Sequence, residues 1–387
     1  MAKPDPKKVV LPHSKAKLDL YKSYLSEYLP ILGNSIFIDG INIFDIFCGT
    51  GIYEDGNMGS PLIAASCVLD YELYFEKKSK PSKPVKLFIN DFDSDKVYSV
   101  SELIDKYPFK NCKVSPYSLD ASDMFKVVEE KINSFSVKER SLVFIDPYGY
   151  SEINRDKLYA LLKRRRSEVI LFLPVAHMKR FTEEALTDYE KKAYDNLRKF
   201  IFDFFKADSK MLNEDNLDIF DYIEELRKAF SFNDEFYTAS HYIERNKANY
   251  YALFFIGHHI YGLEKFIEAK WKNDTLGQGF NQSKGDNTLF GTTLQDYDKN
   301  LSITKLEKAF RNLIQKESKI SNLELYEFTL RNQFKPAHMN QLLRDWKSSK
   351  KLEVYDSNGN ILDNVKGFGL TYESYKTKKI MYQFKKR

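Results

Sequence analysis

Ile43-Phe44-Asp45-Ile46-Phe47-Cys48-Gly49-Thr50-Gly51-Ile52-Tyr53-Glu54-Asp55-Gly56-Asn57-Met58-Gly59-Ser60-Pro61 is the stretch whose reading decides the fold. A short apolar run enters Asp45, and glycines follow at alternate positions, 49 and 51. Ser60 and Pro61 then read as the N-cap and first turn of a helix. Strand, glycine turn and helix is how an open α/β sheet builds a pocket at its carboxyl edge. Glycine lets the backbone approach a ligand where a Cβ would collide. The spacing is not GxGxxG, and no Lys follows Gly51, so the dinucleotide and phosphate-loop signatures are both missing. The competing reading is an ordinary tight turn after a strand.

Composition sets the outer bounds. The 387 residues are 43% apolar and 30% charged with mixed sign, which suits a full α/β domain plus a smaller one. No apolar run approaches the roughly 20 residues that span a bilayer, and no apolar signal core follows the N-terminal Lys and Pro residues. Cys48, Cys67 and Cys112 are scattered and lack CxxC spacing, which points to a reducing, cytoplasmic setting and away from a cysteine metal site. The net charge of +5 is uneven: from residue 301 onward 18 Lys and Arg face 9 Asp and Glu. A basic tail domain on a near-neutral body points to nucleic acid, with a plain solvated face as the alternative.

Taken in order, apolar residues at helical spacing predict a helix over 15–29, capped by Ser14 and closed by Pro30 and Gly33. His13 and Lys17 at its start face either the pocket or solvent. The later part of 35–47 is the first strand, and Val85–Ile89 is the second, ending at Asn90-Asp91-Phe92-Asp93. An acid at that tip is where adenosine-binding α/β folds accept a ribose hydroxyl. Asp91 is the expected acceptor, with Asp93 read as the cap of the next helix. Asp120, after a third short strand, is either an adenine-amino acceptor or a turn residue.

Leu142–Ile145 is a buried strand that delivers Asp146-Pro147-Tyr148-Gly149 to the sheet edge. Pro147 leaves the ladder and holds Asp146 extended beside the glycine turn. The basic run Lys163–Arg166 reads as a helix C-terminus complementing its dipole. A fifth strand, 169–173, is followed by a helical insertion over 177–232 and by a closing hairpin, 236–243 with 250–256. His258-His259 falls after it, and a metal pair there is discounted because adjacent strand residues face opposite ways. The polar stretch 273–300 reads as a linker. Residues 301–387 then read as three helices and a hairpin, a winged-helix layout with His338, Asn340, Gln341, Arg344 and Lys347 as exposed residues of the third helix.

Asp45-x-Phe47-x-Gly49-x-Gly51 resembles the first motif of S-adenosylmethionine (AdoMet) methyltransferases that modify exocyclic amino groups. Asp146-Pro147-Tyr148-Gly149 partly matches their [Asp/Asn/Ser]-Pro-Pro-aromatic motif, and also the equivalent motif of tRNA guanine-N2 dimethyltransferases. Together with Tyr53-Glu54-Asp55-Gly56, Gly59-Ser60-Pro61-Leu62, His13–Lys17, Tyr28–Gly33 and Trp271-Lys272, the chain resembles the three-Cys-motif partner protein family over most of residues 10–350. It departs in having Cys48-Gly49-Thr50 where Ala-Gly-Pro is more usual, and Asp91 where Glu is common. The resemblance implies a Rossmann-like AdoMet methyltransferase sheet and a three-cysteine, radical-AdoMet-like partner protein. Residues 1–34 would be a helical segment, 35–272 the methyltransferase domain, 273–300 a linker and 301–387 the winged helix. Asp45, Phe47, Gly49, Gly51, Asp91 and Asp120 would hold the cofactor. Asp146, Pro147 and Tyr148 would be catalytic, and Tyr53, Glu54, His13 and Lys17 would meet the substrate. The leading expectation is N-methylation of a nucleic-acid base. A non-catalytic AdoMet-binding scaffold for the partner, and a component of a phage-defence system, are the rivals.

Overall fold

The computed structural model describes residues 10–214, 217–246, 249–274, 280–281, 293–317, 319–365 and 367–386. The chain divides into two compact units, Met1–His259 with Gly279–Asp286, and Ile260–Gln278 with Asn287–Arg387. In the first, β1 (Gly40–Asp45) lies between β2 (Val85–Asn90) and β4 (Glu139–Ile145), all parallel. All six β1 residues are buried, as a central parallel strand covered on both faces requires. β3 (Cys112–Tyr117) flanks β2, and β5 (Ser167–Leu173) flanks β4. β7 (Asn249–Gly257) runs antiparallel to β5, with its hairpin partner β6 (Tyr237–Asn246) outside it and the short β8 (Phe280–Asn281) beyond. The order is therefore β3-β2-β1-β4-β5-β7-β6-β8. This is the expected Rossmann-like sheet, and its order reverses between β1 and β4. A crevice opens at the carboxyl ends of strands at such a reversal.

Helices α1 (Pro12–Asn34), α2 (Ser60–Lys77), α3 (Ser94–Ile104), α4 (Ala121–Ser134) and α5 (Arg155–Leu162) accompany the parallel strands. Helices α6 (Val175–Thr187), α7 (Asp195–Phe204), α8 (Lys210–Asn213) and α9 (Ile219–Ala229) make up the insertion between β5 and β6. The insertion is anchored by aromatic packing. Phe204 meets Phe230, and Phe230 meets Phe254 of β7 edge-on at 5.0 Å.

Three local expectations are corrected. Pro30 does not close α1 but lies inside it. The burial of Tyr24, Leu25, Tyr28 and Leu29 outweighs a proline penalty of about 3 kcal/mol. Ser14 is not the cap, because α1 starts at Pro12, whose fixed φ suits the first helical position. Nor is Ser60. Gly59 takes the N-cap of α2, and Ser60 is its buried first residue.

The second unit holds α10 (Ile260–Asn273), α11 (Thr293–Lys316), α12 (Asn322–Arg331), α13 (Pro336–Ser348) and α14 (Tyr372–Lys376). An antiparallel sheet of β10 (Leu352–Asp356), β11 (Tyr382–Lys386) and β9 (Ile320–Ser321) accompanies them, ordered β10-β11-β9. Residues 275–279 and 282–292 of the expected linker fall outside the described residues. The indole of Trp271 in α10 donates to the Gln333 carbonyl at 2.9 Å, and the Tyr326 hydroxyl donates to Glu264 at 2.5 Å. His338 is not exposed. It meets Trp271 edge-on at 4.3 Å, and burial beside Lys335 lowers its pKa to about 4. Lys347 is half-buried and donates to the Leu362 carbonyl at 2.5 Å, so only Gln341 and Arg344 of the five third-helix candidates are exposed.

Gly33 yields a test of how α1 docks on α2. A Cβ there would lie 2.6 Å from the Tyr71 ring and 2.8 Å from the Phe75 ring, both buried. Alanine gains up to about 1 kcal/mol in helix propensity, but overpacking fixed rings costs about 1–3 kcal/mol. Gly33→Ala is therefore expected to lower the unfolding free energy by about 1–2 kcal/mol in urea denaturation. A stabilised variant would mean that the rings give way.

Candidate functional site

The carboxyl edge is stitched together by one residue that the sequence reading passed over. Asn90, buried at the end of β2, donates to the Ile46 carbonyl at 3.0 Å and the Leu119 carbonyl at 3.1 Å, and accepts from Leu119 N–H at 3.0 Å. The Asn90 carbonyl in turn accepts from Cys48 N–H at 2.7 Å. The ends of β1, β2 and β3 are thereby fixed to each other. Its position beside Asp91 was the available signal.

The adjacent Asp91 is buried and braces the glycine turn. One carboxylate oxygen accepts from Gly49 N–H and the other from Asp93 N–H, each at 3.1 Å. Gly49 and Gly51 both have positive φ, +60° and +73°. Their surroundings differ. A Cβ on Gly51 would strike Val100 at 2.7 Å, whereas one on Gly49 would meet nothing within 4 Å. Gly49 thus opens the cradle, and Gly51 packs against α3. The loop behind them closes through an Ile52–Met58 bridge, which puts the half-buried Tyr53 and the exposed Glu54 at its tip.

Asp45 is fully buried behind the turn. Burial raises its carboxyl to about 7, the Asp146 charge adds to that rise, and the Ser60 hydroxyl and Phe47 amide oppose it. Asp146 stands at the tip of β4 with Lys17 of α1 paired to one of its oxygens. The expectation for Lys17 left open pocket or solvent. It is buried, with its ammonium 4.6 Å over the Phe172 ring as well as on Asp146. Phe172 stacks on Tyr251 at 5.2 Å, and Tyr251 on His13 at 5.1 Å, so α1, β5 and β7 share one aromatic wall. Phe172 and Tyr251 carried no sequence signal, because aromatic residues in apolar strands read as core.

Pro147 is buried, and Tyr148 is 57% exposed, with its ring edge-on to Phe47 at 6.4 Å. The structure therefore brings Phe47, Gly49, Asp91, Asp146, Tyr148, Tyr53 and Lys17 to one edge. Phe92 adds a ring there that is 79% exposed. Asp120 caps α4 through Asp123 N–H at 2.9 Å, and Asp93 caps α3. Of the basic run, Lys163 and Arg165 pair with Glu129 and Glu235, and Arg164 and Arg166 bond Asn133 and the Phe135 carbonyl.

Asp45 makes stability depend on pH with a definite sign. Its folded pKa of about 7 exceeds the ordinary 3.8, so the native state binds the extra proton between those values. The stability it contributes is complete below pH 3.8 and is lost as pH rises through about 7. Asp45→Asn removes this dependence. Chemical denaturation at pH 4 and pH 8 should show wild type losing more than the variant, by up to about 4 kcal/mol. Equal losses would mean that Asp45 is ionised throughout. Glu168, also raised to about 7 by burial, is present in both proteins and cancels in the comparison.

No family model and no curated protein matches the chain. Solved structures do. A magnesium protoporphyrin IX methyltransferase from Synechocystis PCC 6803 matches at 11% identity and TM-score 0.32, over 65% of this chain and 90% of that one. An O-methyltransferase of tomaymycin synthesis from Streptomyces achromogenes matches at 12% and 0.32, over 65% and 91%. An rRNA methylase from Streptococcus thermophilus matches at 9% and 0.28, over 62% and 95%. With scores this low, the strand order and the contacts at the carboxyl edge carry the fold.

Proposed function

We propose that this chain is an AdoMet-dependent methyltransferase that acts on an exocyclic amino group of a nucleic-acid base. One observation carries the reading. The glycine turn after β1 and the Asp146-Pro147-Tyr148 tip of β4 converge at the crevice where strand order reverses. The residues fit the cofactor, since Gly49 has positive φ and open space where its Cβ would be. Gly49, Gly51 and Asp91 would hold it, with Phe47 flanking, Asp120 at the next strand end and Asp45 supporting the turn from behind. When bound, AdoMet supplies a methyl group already activated by its sulfonium.

What remains for the protein is to position and desolvate the amine. Asp146 accepts a hydrogen bond from the amine and orients its lone pair along the line of displacement. Tyr148, exposed at the edge, stacks on the base. Pro147 keeps the backbone there out of the ladder. Tyr53 and Glu54 border the substrate side.

The Lys17–Asp146 ion pair favours a second reading. A cation already occupies one oxygen of the carboxylate that would receive the amine. In that reading the chain is an AdoMet-binding scaffold, and its C-terminal winged helix docks a three-Cys-motif partner. Both readings require AdoMet to bind, and only the first requires turnover.

Two variants separate them. Gly49→Ala adds a methyl group in open space at a backbone strain of about 1–2 kcal/mol. It should leave the fold intact and weaken AdoMet at least tenfold in isothermal titration. Unchanged affinity would put the pocket elsewhere. Asp146→Asn keeps the size of the side chain and removes its charge. AdoMet affinity should stay within a few-fold, while transfer of labelled methyl to total RNA or DNA falls by roughly two or more orders of magnitude. Loss of AdoMet binding would make Asp146 a cofactor ligand. An unmodified substrate pool with wild type, despite AdoMet binding, would select the scaffold.

A further inference from the structure

The second unit carries much of the chain's positive charge, but its third helix shows little of it. His338 is packed on Trp271, Lys347 is bonded to the Leu362 carbonyl, and the exposed Arg344 donates to Gln341 at 3.4 Å. The charge gathers instead at one end of the small sheet. Strand pairing sets Lys386 opposite Leu352 and Lys385 opposite Glu353. Lys350 and Lys351 directly precede Leu352, and the α13 C-terminus presents them. On the other side of β11, Ile320 pairs with Phe384, which brings Lys319 beside Lys385.

All five lysines are exposed, and among the described residues none is within ion-pair distance of a carboxylate. Glu353 is the one acid within this row of the sheet, and it accepts from the Tyr355 hydroxyl at 2.7 Å. The α13 end is closed by backbone bonds, Lys350 N–H to the Lys347 carbonyl and Lys351 N–H to the Trp346 carbonyl. The side chains are therefore not needed as caps. Five like charges within a few residues of each other repel, a cost that natural surfaces relieve with counter-ions or a polyanion.

We infer that this lysine edge, Lys319, Lys350, Lys351, Lys385 and Lys386, is the phosphate-binding surface for the nucleic-acid substrate, in place of the third helix. The inference rests on nucleic acid being the substrate proposed above. Point-charge ammonium groups with few groups suited to base edges predict contact with the backbone, without sequence preference. The methyltransferase crevice would then select the base, while the lysine edge holds the strand.

Fluorescence anisotropy with a short labelled RNA strand and a short labelled DNA duplex tests this, using the full chain across a salt series. Lys350→Gln/Lys351→Gln/Lys385→Gln/Lys386→Gln changes only exposed side chains. It should weaken binding by tenfold or more and flatten the log K against log salt slope by about 3, since each contact contributes about 0.7–0.9. Gln341→Ala/Arg344→Ala on α13 should bind within about twofold of wild type. A quadruple variant with the wild-type slope, or a large loss in the α13 pair alone, overturns the inference. So does a wild-type chain that binds neither probe, or one that binds only vesicles containing phosphatidylserine. AdoMet titration in the same preparations separates these failures from failure of the methyltransferase reading, because it does not depend on the lysine edge.

Discussion

The site depends on a pair of adjacent side chains at the tip of β2. Asn90 ties the ends of three strands together, and Asp91 holds the amide of Gly49. A glycine turn with two positive φ values has no side chains of its own to fix its shape, and glycine loses the most conformational freedom on folding. The shape is therefore imposed from outside, by a buried amide and a buried carboxylate whose hydrogen bonds are shielded from water. Any ligand cradled by Gly49 rests indirectly on Asn90 and Asp91.

This arrangement changes how Asp91 is to be understood. As a ribose acceptor it would face a ligand, but both of its oxygens already accept backbone N–H groups. Each carboxylate oxygen has a second lone-pair direction, so bracing the turn and receiving a hydroxyl are compatible. Removing the side chain would disturb both. That is why the open space above Gly49 probes the proposed cofactor pocket more cleanly than Asp91 does.

The strands and the two motifs were legible because local pattern sets them. Apolar runs give buried parallel strands, and glycine and proline punctuate their ends. The site was legible only as far as residue type allowed. Asp146 and Lys17 are 129 positions apart, and nothing local announces their pairing. The wall of Phe172, Tyr251 and His13 comes from three elements that the sheet brings together. In the C-terminal unit the polar, helix-compatible His338 read as exposed. It is half-buried because Trp271, on α10 far earlier in the chain, packs edge-on against it. Capping at Ser14 and Ser60 followed composition, but a proline fixed one start and Gly59 the other. Local rules describe preferences, and long-range packing chooses among them.

The electrostatics of the carboxyl edge follow from that packing. Two carboxyl groups, Asp45 and Asp146, lie near each other in a region from which most water is excluded. The Asp146 charge adds to the rise that burial imposes on the Asp45 carboxyl. The fold separates them by environment. Asp45 is fully buried and pushed toward its neutral form, while Asp146 reaches the surface of the crevice and receives the Lys17 ammonium. Lys17 is itself held over Phe172, on a helix whose burial of Tyr21, Tyr24 and Leu25 fixes it against the sheet. The N-terminal helix is thus part of the site. It supplies the ammonium that pairs with Asp146 at the tip of β4.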